Sequence, residues 1–272
     1  MADTIRAASE LPGQGGRGSA PSNHYGQLLW TLVRTDFKSR YHASASGFLW
    51  ALLKPLVMFL VLLGVFSFIF ATQPNYRLNL IIGLFLWDFF NESTRVGLTS
   101  LHAKGFLLGK ARLPAWVVVV ASAANALLTM LIFAVIVNAF LFATGRAPSA
   151  AGLALFLLYA ACLLLIAIGF SLATSILFLR WRDLNQIWEV VLQAGFFVAP
   201  IVYPLDILPE RFHRLLYFWP PTPVLQFSRA VLVEHAIPSL RGHLYLLAGT
   251  AIILATGAAI FRRWRPRAAE LL

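Results

Sequence analysis

The chain has 272 residues, 59% hydrophobic and only 12% charged, with a formal net charge of +11. With a mean hydropathy of +0.75, that balance excludes an ordinary soluble domain and places the chain in a bilayer. The positive excess is no nucleic-acid footprint, because no basic stripe interleaved with aromatics occurs in a soluble region; it reads as topogenic charge beside membrane lipid headgroups.

Residues 1–22 carry Gly, Ser and Pro without an apolar core, so they read as a disordered tail and not as a cleavable signal peptide. Residues 23–46 read as a cytoplasmic amphipathic interface helix. Trp30, Val33, Phe37 and Tyr41 recur at helical spacing, while Arg34, Asp36, Lys38 and Arg40 occupy other faces. A simple surface anchor has the same pattern. A hydrocarbon core ~30 Å thick needs about 20 helical residues to cross it. Six crossings are expected: Phe48–Phe70, Leu78–Leu98, Trp116–Phe142, Gly152–Leu179, Ile187–Tyr203 and Leu244–Phe261. Lys54 and Pro55 fall near the start of the first, where lysine can snorkel and proline can kink the helix.

The second span is polar toward its inner end. Asp88, Asn91, Glu92 and Arg95 lie at i, i+3, i+4 and i+7, hence on one helix face. An ionised group near the bilayer centre costs at least ~2.5–3.5 kcal/mol, so this face should meet protein or water. It is either a polar lining of a pathway or a structural contact with Glu92 and Arg95 paired. The intramembrane carboxylates read as lying on this one helix.

Leu101–Pro114 (LHAKGFLLGKARLP) joins spans two and three. Gly105, Gly109 and Lys110 have the wrong spacing for a phosphate loop and are followed by Ala, which argues against ATP binding. The segment reads as a short helix docking on a partner, with a plain topogenic turn as the alternative. At Arg180–Gln186, Asp183 is expected to cap the next helix and Gln186 to complete a capping box. Spans one and five carry aromatic stripes: Phe59, Phe66 and Phe70 with Leu63, and Trp188, Phe196 and Tyr203. Ring faces can pack on the C–H faces of sugars, although helix packing or lipid contact explains any single ring equally well. Ala199–Leu232 is broken by Pro200, Pro204, Pro209, Pro220, Pro221 and Pro223. Two short helices are expected there, Pro209–Trp219 and Pro223–Val233, dipping in from the outer side or lying flat in the interface.

An even number of spans puts both termini on one side. Of the 22 Lys and Arg residues, only Arg77, Arg146, Arg211, Arg214, Arg229 and Arg241 fall on the other side, so both termini are expected in the cytoplasm. The single cysteine, Cys162, excludes an intrachain disulfide. No zinc-protease, nucleophile-elbow or Cys/His metal pattern occurs.

With these pieces placed, the chain from about Gln27 to Arg265 resembles an ABC-2-type permease, the membrane subunit of ATP-driven polysaccharide exporters. Four blocks carry the resemblance: Arg40-Tyr41, Ser44, Gly47, Trp50 and Pro55; Gly83–Phe90 (GLFLWDFF); Leu101–Pro114; and Arg182-Asp183-Leu184, then Phe196-Phe197-Val198-Ala199-Pro200-Ile201, Leu208-Pro209, Pro223 and Arg229. His102, Arg112-Leu113-Pro114 and Ser46 depart from the usual pattern.

The resemblance implies an all-α six-helix membrane domain over 47–267, with a coupling segment at 101–114, outer re-entrant helices within 204–233 and a cytoplasmic tail at 268–272. It implies a homodimer joined to two copies of a separate ATPase, in the bacterial cytoplasmic (inner) membrane. ATP and magnesium would sit on that ATPase, with no cofactor on this chain and no bond chemistry. The cargo would be a lipid-linked polysaccharide resembling O-antigen. The pathway would include Phe59, Phe66, Phe70, Trp87, Asp88, Trp188, Phe196, Phe197 and Tyr203. ATPase coupling would use Arg34, Lys38, Arg40, Lys104, Phe106, Leu107, Lys110 and Arg112. An exporter of lipids or small drugs shares the topology, and a polytopic glycosyl transferase is the rival from another class.

Overall fold

A computed structural model describes residues 22–41, 45–106 and 113–268. The disordered tail expected at the N-terminus (apart from Ser22), the centre of the coupling segment and the last four residues lie outside that range. The described residues form helices α1 Ser22–Tyr41, α2 Ala45–Ile69, α3 Tyr76–Ala103, α4 Ala115–Ala124, α5 Ala126–Ala143, α6 Ala150–Arg180, α7 Leu184–Val198, α8 Glu210–Tyr217, α9 Pro221–Leu232 and α10 Leu240–Ala268, with a 3-10 turn at Leu205–Ile207. No strand occurs among them.

Local chemistry sets several of these limits. Asn75, in the left-handed region at φ 61°, turns the chain into α3, a conformation that asparagine tolerates. Gly145, at φ 73°, closes α5, and the Ser149 side chain caps α6 by accepting from the Gly152 amide at 3.0 Å. α2 runs through Pro55 without ending there.

Three stretches are long and apolar enough to cross a membrane: Ala115–Ala143, Ala150–Arg180 and Leu240–Pro266. The first contains the expected third span but is interrupted at Asn125, which separates α4 from α5. α2 contributes a shorter apolar run, Leu53–Ile69. α3 has 28 residues, about 42 Å at 1.5 Å per residue, but carries the polar face. α7 has only 15 residues, about 22 Å, which falls short of a ~30 Å core.

α3 and α6 form the centre, and α10 packs along α6. α3 is buried on every side from Leu80 to Trp87, with Phe85 stacked on Phe133 of α5 at 4.3 Å. In a bilayer, helices gain by close backbone approach more than by hydrophobicity, so small residues mark the crossings. Gly97 of α3 meets Ser171 of α6, and Gly169 of α6 meets Gly257 of α10; a Cβ on Gly169 would stand 2.8 Å from the Ile253 carbonyl.

Of the helix expected at 23–46, residues up to Tyr41 belong to α1, and Ala45 and Ser46 belong to α2. Its inward face is Leu28, Leu29, Leu32 and Val33, packed on Leu113, Trp116, Val117 and Ala121. Trp30 points outward and is 62% exposed. Of the two stripe side chains that are described, Trp30 and Val33, Val33 joins this contact; those of Phe37 and Tyr41 lie outside the described set.

Candidate functional site

The polar face of α3 lies between α2 and α7. Asp88 is half-buried, within electrostatic reach of Glu92 on its own helix and of Lys54 on α2. Arg95 donates to Glu189 of α7 through Nη2 at 2.9 Å, and Asn185 Nδ2 reaches the same carboxylate oxygen at 3.5 Å. The carboxylates of the expected spans are therefore not confined to one helix, which corrects the sequence expectation. Helical periodicity orders residues within a span and says nothing across spans, so it does not single out Glu189. It is the sole carboxylate of α7, and that was its signal: it needed a cation, and Arg95 was a candidate.

The aromatic residues assigned to the pathway divide into two groups. Trp87, buried at 6% exposure, packs edge-on against Phe196 at 5.9 Å and lies 6.5 Å from Trp219. Trp188 packs on Phe170 at 4.0 Å and on Phe90 at 6.3 Å, and its indole N–H donates to Thr94 Oγ1 at 3.1 Å. These rings form one cluster that fastens α7 to α3, α6 and the turn before α9. Trp219 belongs to it and was missed by sequence reasoning. Gly195 makes room for it, since a Cβ there would approach the Trp219 ring to 2.5 Å. Phe59 is buried in the core, and Phe66 stacks on Phe70 at 6.1 Å, which in turn meets Tyr76 at 5.3 Å. Phe197 is the outward-facing member, 71% exposed. The Tyr203 hydroxyl donates to the carbonyls of Phe197 and Val198 at 3.0 and 3.1 Å, closing the C-terminal end of α7, where helix carbonyls lack partners.

Beyond Val198 the chain is not helical, yet Ala199, Ile201 and Val202 are buried. Backbone of this kind is tolerated inside a membrane protein only if its polar groups are satisfied. Arg229 of α9 does most of that. Its Nη1 donates to the Pro200 carbonyl at 2.6 Å, its Nη2 to Ile201 at 3.0 Å and its Nε to Asn79 of α3 at 2.9 Å. The Tyr76 hydroxyl donates to the Val202 carbonyl at 2.8 Å. Gly83 leaves space for the guanidinium, as a Cβ there would stand 2.6 Å from Nη2.

At the opposite end, Lys104 bonds Asp36 of α1 and the Ser122 hydroxyl of α4, the latter at 2.7 Å. This residue, assigned to ATPase docking, is thus held by an internal tie between three helices. Arg34 and Lys38 are exposed on α1, and Phe106 is 50% exposed. Arg40 lies on α1 with its side chain outside the described set, and Leu107, Lys110 and Arg112 lie outside the described residues altogether. Asp183 precedes α7 in helical conformation and makes no side-chain capping bond, so the expected capping box does not form. The residue's own αR geometry (φ −66°, ψ −15°) departs from the extended geometry such caps need. Among the described residues no cluster of His, Cys, Asp and Glu could hold a metal ion.

The profile of the family described as ABC-2 type transporter matches residues 27–233. A protein from Klebsiella pneumoniae described as O-antigen export system permease protein RfbA is 30% identical over 247 residues, covering 90% of this chain and 95% of that protein. A Myxococcus xanthus protein of the same description is 28% identical over 257 residues, with the same coverage. The polysialic acid transport protein KpsM of Escherichia coli is 20% identical over 234 residues, 85% of this chain and 91% of its own length.

Proposed function

The chain belongs to the ABC-2 type transporter family, and from that premise we propose that it is the permease subunit of an ATP-driven exporter of a lipid-linked, O-antigen-like polysaccharide. The observation that carries this reading is end-to-end similarity, 95% of the relative's length, to an O-antigen export permease.

In this reading the multi-pass chain crosses the bacterial cytoplasmic membrane six times, through α2, α3, α4 with α5, α6, α7 and α10, within a membrane domain spanning 47–267. Both termini face the cytoplasm, as the distribution of basic residues favours. α7 falls short of a full crossing, and α8 and α9 complete its outer end as re-entrant helices. The buried, hydrogen-bonded backbone after Val198 supports that placement, because open loops cannot lie in lipid. α2 and α7 carry exposed apolar faces, with Trp50, Val61, Val65, Ile187 and Val190 exposed. A second copy of the chain and the glycan share these faces, and the polar stripe of α3 lies behind them.

Two copies of a separate ATPase, carrying ATP and magnesium, dock on α1 and the 101–114 segment. The Lys104–Asp36 tie passes their motion to α1 and α4. The chain binds no cofactor and does no bond chemistry. Its part is to hold a sealed path that opens when the cytoplasmic ends move.

The test is deletion of this chain in its host, with and without restoration from a plasmid. The expected result is loss of surface glycan and accumulation of lipid-linked glycan inside the cell, reversed by restoration. Surface glycan unchanged by the deletion would falsify the proposal.

A further inference from the structure

At the end of the molecule read as outward, four chain segments converge on a cavity of about 510 Å³. They are the start of α3, the linker after α7, the end of α8, and α9 with its connection to α10. The volume lies within the ~300–1,000 Å³ range of small-ligand sites. Its walls are not those of a lipid-facing cleft. Tyr203 and Tyr217 supply ring faces, Asn79 and Gln226 supply amides, and Asp206 and Glu234 supply carboxylates.

This mixture has a specific use. Aromatic faces pack on the C–H faces of a pyranose, while amides and carboxylates bond its hydroxyls. The sign of charge narrows the choice further. Asp206 and Glu234 are exposed. Arg229 is the only cation among the described lining residues; it is 5% exposed and donates from each nitrogen to a backbone carbonyl. A sugar bearing a carboxylate would meet two like charges and a cation already engaged. A neutral or amino-bearing sugar would meet acceptors.

We infer that this cavity is a sugar-binding subsite taking one or more neutral or amino-substituted pyranose units of the glycan as it leaves. The inference deepens the export reading and rests on it for cargo and orientation. Tyr217 and Glu234 are exposed, so replacing them spares the core.

The experiment is saturation-transfer NMR on the full chain in lipid nanodiscs, with methyl α-mannopyranoside, methyl N-acetylglucosaminide and a methyl sialoside as probes. The two neutral glycosides should show transfer and the sialoside should not. Tyr217→Ala combined with Glu234→Ala should weaken neutral-probe binding about tenfold, the loss of one stacking and one hydrogen-bond contact. Gln226→Leu should act in the same direction, and Phe68→Ala, on an exposed ring outside the cavity, should change nothing. Transfer indifferent to all three cavity positions, or strongest for the sialoside, overturns the subsite. If that happens while the wild-type chain restores surface glycan, the export reading stands alone. If cavity-dependent transfer occurs but the chain restores no glycan, the subsite stands and the export reading falls.

Discussion

Replacing Arg229 with Met removes three donors while keeping an apolar side chain of similar reach. The Asn79 carbonyl lies inside α3 and keeps its helical partner, so it loses little. The Pro200 and Ile201 carbonyls belong to no helix, and among the described residues no other hydrogen bond reaches them. Stranding a buried acceptor costs ~1–3 kcal/mol, so the linker after α7 loses about 2–6 kcal/mol of attachment. Removing a buried guanidinium also removes its desolvation penalty, which acts on global stability in the opposite direction. A melting temperature therefore mixes two effects, whereas local opening isolates one. Ala199 is fully buried and Cys162 is the single native cysteine. In a Cys162→Ala background carrying Ala199→Cys, maleimide labelling reports opening of this linker. With tenfold per 1.4 kcal/mol, Arg229→Met should raise the labelling rate at least about 30-fold. Equal rates with Arg and Met at position 229 would refute the clamp. Gly83→Ala should act in the same direction but more weakly, because its Cβ displaces Nη2 without removing it.

Gly257→Ala would place a methyl against the Gly169 carbonyl and push α10 off α6; overpacking of this kind costs ~1–3 kcal/mol, read as earlier thermal loss of the monodisperse peak in size exclusion. An unchanged profile would mean that the two helices can part freely. Asp36→Asn or Lys104→Met should lower glycan export several-fold while the amount of chain in the membrane stays constant. The double exchange Asp36→Lys with Lys104→Asp should recover part of it, and full export in either single variant would remove the tie from the coupling path. Phe106→Asp with Leu107→Asp should abolish co-purification of the ATPase without preventing membrane insertion, and undiminished co-purification would place docking elsewhere.

Local pattern is sufficient where a single helix settles the question. The two short helices after α7 were expected at Pro209–Trp219 and Pro223–Val233 and occur at Glu210–Tyr217 and Pro221–Leu232, because prolines and aromatics mark their limits directly. The break at Asn125 and the absent Asp183 cap were not foreseen. Both are matters of backbone dihedral at one residue, which composition does not specify. Of the stripe expected on the fifth span, Trp188 and Phe196 lie on α7, whereas Tyr203 falls beyond its end at Val198. Whether these rings met protein, glycan or lipid was beyond periodicity, and Trp188 and Phe196 turn out to pack into a cluster completed by Trp219.

Hydropathy and charge, which a bilayer reads one segment at a time, are enough to assign a multi-pass helical chain, and the motif blocks carry the resemblance to its family. The contacts that make the bundle specific belong to another class. Arg95 and Glu189 are 94 residues apart, Lys104 and Asp36 are 68 apart, and Arg229 meets Asn79 across 150. Helical periodicity operates over windows of about 11–18 residues, so only the packed molecule could pair these groups. The Lys104–Asp36 and Arg229–Asn79 pairs join part-buried polar atoms whose burial would be unfavourable alone. Tertiary structure thus settled where the charges of this apolar chain find partners, and with that where α7 ends, how its broken backbone stays buried and where the cavity beside Arg229 forms.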